Sequence, residues 1–121
     1  MSTVKLRPGI SLCFKEGCIS VGKDVIRALG KPRYISILKN DEKKTLLIIP
    51  CGEYDPLSFK VPEDLLVNTN KKLRIYSLRF VEDIRVRYGF TDINLIRLSG
   101  VYDSSMRSVV FELRIREVRE I

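Results

Sequence analysis

The sequence contains no histidine, no tryptophan and only three cysteines. Each shortage removes a class of function. Without histidine, the commonest general acid–base group is missing. Cys13, Cys18 and Cys51 cannot all pair within one chain, and an odd set in a chain of this size fits reduced thiols better than a disulfide framework. A zinc site would need a fourth ligand, and Cys13-x4-Cys18 lacks the tight spacing of a zinc knuckle. The better reading is three small, buried, apolar side chains. No apolar stretch approaches the ~20 residues that span a bilayer, and the opening Met-Ser-Thr-Val-Lys-Leu-Arg-Pro carries no signal-peptide core. No glycine-rich phosphate loop occurs, and Lys5-Leu-Arg-Pro-Gly9 is not one. Asp24, Asp64, Glu82, Asp83 and Asp92 fall at or near expected helix ends and faces, where dipole and solvent account for them. A cysteine nucleophile would lack an evident base. The expectation is a cytoplasmic binding protein, with no enzymatic activity, cofactor, metal or membrane.

What is abundant is positive charge. Net charge is +7 over 121 residues, on a globular background of 45% hydrophobic and 31% charged residues. The excess is uneven: residues 1–60 hold 11 Lys and Arg against 6 Asp and Glu, and residues 61–121 hold 11 against 9. A polyanionic partner suits such a chain, and its footprint is expected on the first half.

The hydrophobic pattern runs twice through one order. Ile10 to Phe14 alternates as a half-buried strand, Lys15-Glu16-Gly17 turns, and Cys18 to Val21 is a second short strand. Asp24 to Leu29 reads as a helix burying Val25, Ile26 and Leu29. Gly30 suits a left-handed helix end, and Pro32 stops resumption. A hairpin follows: Tyr34 to Leu38, the polar turn Lys39 to Lys44, and Thr45 to Ile49. In the second pass Leu73 to Tyr76 is the strand and Ser77 the helix N-cap. Leu78, Val81, Ile84 and Tyr88 share the buried helix face, and Gly89 closes it. Asn94 to Leu98, a turn at Asp103-Ser104-Ser105 and a long strand from Val109 toward Val118 complete the pass. The expected fold is α+β: residues 1–51 a first strand–helix–hairpin (βαββ) unit, 52–72 a connector with a brief strand at Phe59-Lys-Val61, and 73–121 a second unit, packed as one compact domain.

The stretch Gly17-Cys-Ile-Ser-Val-Gly-Lys-Asp-Val-Ile-Arg-Ala-Leu-Gly30, continuing to Ile35-Ser-Ile37 and Leu47-Ile-Ile49-Pro50, resembles the SpoVT/AbrB swapped-hairpin domain. Two copies in one chain resemble the MraZ branch, in which the tandem units build internally the barrel that AbrB-type proteins make by dimerisation. The resemblance implies a pseudo-dimeric β-barrel and a DNA-binding transcriptional regulator. It places Arg27 where the family's helix carries a basic residue used on DNA. The chain departs from the pattern at Cys18 and Ile26, where the family commonly has basic residues, and at Gly22, where it has proline.

The expected duplex-DNA contacts are Lys15, Lys23, Arg27, Lys31 and Arg33, with Arg74, Arg79 and Arg85 as a secondary set mirroring them. Arginine suits bidentate contacts to guanine or phosphate, and lysine acts as a point charge. In the second set, pairing of Arg79 with Glu82 or Asp83 is the competing explanation. Arg114, Arg116 and Arg119, interrupted by Glu112, Glu117 and Glu120, read as a charged edge strand. Tyr76 and Tyr102 could stack bases, but aromatics at strand and helix ends usually sit in the core with a wet hydroxyl. The alternative function is a protein-interaction module, of a kind a mobile element could carry, that engages an acidic protein partner. A protein partner retained after nuclease digestion would favour it. Homo-oligomerisation is compatible with either reading.

Overall fold

The structure, a computed structural model, describes residues 6–113. Eight antiparallel strands form one nearly closed, barrel-like sheet accompanied by two helices. In chain order these are β1 (Gly9–Cys13), β2 (Cys18–Val21), α1 (Lys23–Ala28), β3 (Tyr34–Asn40), β4 (Thr45–Pro50), β5 (Phe59–Lys60), β6 (Leu73–Tyr76), α2 (Leu78–Arg87), β7 (Leu95–Asp103) and β8 (Ser108–Glu112). The spatial order is β5-β3-β4-β8-β7-β1-β2-β6. Three of the seven pairings are hairpins between chain neighbours, and the other four join strands distant in sequence. The β1–β2 hairpin lies between β7 and β6, and β4 pairs with β8.

Strand alternation decides which side chains enter the barrel, because successive residues point to opposite faces. Ile10 and Leu12 on β1 oppose Val21 and Ile19 on β2, and all four are buried. Leu46 and Ile48 on β4 oppose Phe111 and Val109 on β8 in the same way. Val25 and Ile26 of α1, and Val81, Ile84 and Tyr88 of α2 and its cap, join the same core. Each fully buried aliphatic side chain contributes about 1.5–3 kcal/mol relative to an exposed one. Such burial is what holds so short a helix as α1, since an isolated single turn is unstable in water.

Both helices end alike. Gly30 N donates to Arg27 O at 3.1 Å and Lys31 N to Ile26 O at 2.9 Å. Likewise Gly89 N donates to Val86 O at 3.4 Å and Phe90 N to Arg85 O at 2.8 Å. Gly30 and Gly89 adopt φ of 82° and 76°, the left-handed region where only glycine escapes a Cβ penalty. The β3–β4 and β7–β8 turns also match. Lys44 and Arg107 end them at φ 53° and 48°, while Asn40 Oδ1 accepts from Lys43 N and Asp103 Oδ1 from Ser105 N and Met106 N.

Several expectations are corrected. Ser77 gives no side-chain cap to α2; its backbone N–H instead donates to Gly17 O at 3.0 Å, tying the helix start to the β1–β2 turn. Leu78 is 67% exposed because, as the first helical residue, it lies over Gly17 and not over the core. Lys39 is part of β3, not of the turn. β7 runs on to Asp103, so the second hairpin is longer than expected. Of the cysteines only Cys18 is buried; Cys13 and Cys51 are half-buried. Ile115 and the rest of the last strand, including Arg114, Arg116, Glu117, Arg119 and Glu120, lie outside the described residues.

Candidate nucleic-acid interface

The predicted basic residues separate into groups. Lys15 is exposed on the turn joining β1 to β2, whereas Lys23 begins α1 beyond the other end of β2. Lys15 therefore does not share a face with the α1 set. Lys23 Nζ donates to the Asn68 carbonyl at 2.8 Å, anchoring the connector. Arg27 donates to Asp24 Oδ1 at 2.9 Å, with its side chain 40% exposed. Asp24 also accepts from Arg7 N. That backbone hydrogen bond, opposed by burial and reinforced by Arg27, holds the Asp24 carboxyl below its ordinary range. Arg27 is therefore oriented, not loose.

Lys31 and Arg33 follow α1 and are both exposed. They border a cleft of about 360 Å³ whose apolar lining includes Ile26, Val61, Leu65 and Leu66, with Glu63 at its rim. Lys31 stands at φ 58°, with its N–H donating to Ile26 O at the helix end. Proximity of Arg27, Lys31 and Arg33 follows from their short sequence separation around one capped helix. This is the part of the first set that the fold keeps together.

The second set divides too. Arg85 is engaged from several sides: Nε and Nη2 donate to Glu82, Nη2 at 2.7 Å, and Nη1 donates to Thr91 O at 3.1 Å. Arg79 is exposed, and the partner expected for it is taken, since Glu82 pairs with Arg85 while Asp83 pairs with Lys39 and Arg87. Arg74 is exposed on β6 beside Tyr76. Sequence reading also passed over Arg97, exposed on β7; its signal is its place between inward-facing Ile96 and Leu98. Tyr76 and Tyr102 are 65% and 42% exposed, contrary to the core placement expected. Beside Tyr76 it is Ile75 that takes the inward position. Cys18, by contrast, is chemically quiet: burial pushes its thiol up to about 11.

One polar network joins the two halves. Lys39 on β3, its side chain 15% exposed, pairs with Asp83 on α2 and with Asp41 at 3.3 Å. Tyr88 Oη donates to Asp41 at 3.0 Å, and Arg87 pairs with Asp83 at 3.4 Å. The hydrogen bond from Lys39 lowers the Asp83 pKa; for Asp41, burial pulls upward but hydrogen bonds from Tyr88 and Lys39 prevail. Carboxyls with lowered folded pKa values stabilise fully above their unfolded value near 4, and that contribution disappears as pH falls through the folded value. The thermal midpoint should therefore hold from neutral pH down to about 5 and fall steeply below 4. An Asp41→Asn/Asp83→Asn double variant should start lower and decline more gently. Parallel acid profiles for the two proteins would show that the network does not set this dependence.

No protein-family model, curated protein or solved structure matches the chain. Among the described residues, no helix is long and apolar enough to cross a membrane, and no cluster of three His, Cys, Asp or Glu side chains is placed to hold a metal ion.

Proposed function

We propose that this chain is a duplex-DNA-binding transcriptional regulator of the swapped-hairpin class, built as an internal pseudo-dimer resembling the MraZ arrangement. The observation that carries this reading is an exchange symmetry in the strand pairing. Swap β1 with β5, β2 with β6, β3 with β7 and β4 with β8, and the order β5-β3-β4-β8-β7-β1-β2-β6 becomes the same ring read backwards. The pairing that full symmetry would add is β5 with β6, the edges of the open seam. The hairpin register respects the exchange, because one offset turns Ile37↔Ile48 and Asn40↔Thr45 of β3–β4 into Gly100↔Phe111 and Asp103↔Ser108 of β7–β8. In the hairpins, the offset carrying Lys44 to Arg107 also carries Asn40 to Asp103, matching both the left-handed residue and the side chain that closes the turn. Two unrelated halves have no reason to agree in this much detail.

DNA is the partner that fits a basic surface around α1. Arg27 is held by Asp24 with its guanidinium still accessible, and Lys31 and Arg33 flank it as phosphate contacts. Phosphate contacts position the protein and base contacts specify sequence. Arg27→Ala should therefore cost about 1–3 kcal/mol and relax sequence preference, whereas Lys31→Ala should weaken all duplexes alike. Selection from a random duplex library followed by anisotropy titration measures both. Parental behaviour of both variants on every duplex would rule this face out.

A further inference from the structure

On the sheet formed by β7, β1, β2 and β6, the outward side chains fall into cross-strand rows. Because Ile10, Leu12, Ile19, Val21, Leu73, Ile75 and Leu98 face the core, the alternate residues face out. The register places Arg97, Ser11, Ser20 and Arg74 in one row across all four strands. The next row is Leu95, Cys13, Cys18 and Tyr76. On the other side, Gly9 lies opposite Ser99, and Gly22 N donates to Gly9 O at 2.9 Å. The two middle strands thus place only glycine, serine and cysteine on this side, with Cys18 itself covered, while Arg97 and Leu95 on β7 and Arg74 and Tyr76 on β6 stand at the flanks. The result is a channel with a small-residue floor, about 14 Å between its β7 and β6 walls at three strand spacings of ~4.8 Å. A hollow of about 260 Å³ lies along its β7 side, lined by Ser11, Ser20 and Arg97 among others.

The wall chemistry names the occupant. Arg74 and Arg97 are exposed, and among the described residues neither has a carboxylate at ion-pair distance. Glu16 is the carboxylate whose charge acts on Arg74. Lys72, also exposed, precedes Arg74 at the edge of the channel. Tyr76, 65% exposed, offers an aromatic face beside Arg74. Duplex recognition requires an element that enters a groove about 12 Å wide, typically a helix or a two-stranded ribbon. This face has nothing projecting from its middle. A flat floor edged by arginines and an aromatic is instead the arrangement that holds a single strand, with phosphates on the cations and a base on the ring.

We infer that the channel over β7, β1, β2 and β6 binds single-stranded nucleic acid, with the backbone between Arg97 and Arg74 over Ser11 and Ser20, and a base stacked on Tyr76. The site is separate from the α1 face and does not depend on the duplex reading. Fluorescence anisotropy with a labelled 12-nucleotide oligothymidine and a labelled hairpin duplex tests it. Arg74→Ala and Arg97→Ala should each lower the salt slope for the single strand by about 0.7. Tyr76→Ala should weaken the single strand by tenfold or more, and Tyr76→Phe should not, because stacking needs the ring and not the hydroxyl. Ser20→Leu should also weaken it about tenfold; it fills the floor at unchanged charge and keeps an outward position compatible with folding. If only the arginine variants respond, the attraction is diffuse charge and the channel is not a site. A parent that prefers the duplex, with Tyr76→Ala silent, also overturns the inference. Loss of duplex binding in Arg27→Ala, with the single strand unaffected, bears on the α1 reading alone.

Discussion

Phe111→Ala should lower the unfolding free energy by about 3–5 kcal/mol, a large part of the 5–15 kcal/mol typical of a domain. Phe111 is fully buried on β8, paired with Leu46 on one side and with Gly100 on the other. Gly100 is where the ring finds its room. A Cβ added there would sit 2.5 Å from Phe111 Cε2 and 2.7 Å from Val109 Cγ1. Gly100→Ala alone should therefore cost about 1–3 kcal/mol through overpacking. Combined with Phe111→Ala, the alanine methyl enters the vacated space, so the double variant should be more stable than the sum of the two losses predicts. Urea denaturation of all four proteins gives the coupling energy. Strict additivity would mean that ring and glycine do not share the space described.

The sequence made the elements legible because their signals are local. Period-two alternation located β1, β2 and β6 to within a residue, and glycines after apolar turns located both helix ends. Ser77 gives no side-chain cap in a setting fixed from outside the helix: its amide is tied to Gly17 O beside the β2–β6 pairing, and its backbone stands at φ −151° and ψ 85°. Arg79 failed as an ion pair for a similar reason. Spacing along α2 offers Asp83 to Arg79, but β3 brings Lys39, which is more shielded from water and takes that carboxylate.

The candidate sites divide along the same line. Arg27, Lys31 and Arg33 are near one another because a short helix and its cap keep sequence neighbours together. Lys15 is close to them in sequence, but the length of the β1–β2 hairpin carries it away. The Arg97–Ser11–Ser20–Arg74 row draws on four strands from both ends of the chain. Each strand shows its outward residues by alternation, but no local rule says that β7 and β6 flank β1 and β2. The small outward residues of β1 and β2 were visible, and their meaning depended on the topology.

That topology makes a strong demand on folding. β1 and β2 find their outer partners only in β7 and β6, and β4 finds its in β8. A cut in the exposed loop between β4 and β5 therefore leaves neither piece with a complete core. Residues 1–55 alone, as a monomer, should show no cooperative thermal transition, and residues 56–121 should behave alike. Mixed at equal concentration, the two should regain strand circular dichroism and a single melting transition, with a midpoint that rises with concentration because association now replaces a covalent connection. Residues 1–55 should escape only by pairing with a second copy, each lending the strands the other lacks, as the exchange symmetry of the ring permits. Sedimentation identifies that case. A monomeric fragment 1–55 that melts cooperatively would refute the interdependence of the halves, which an internal pseudo-dimer requires.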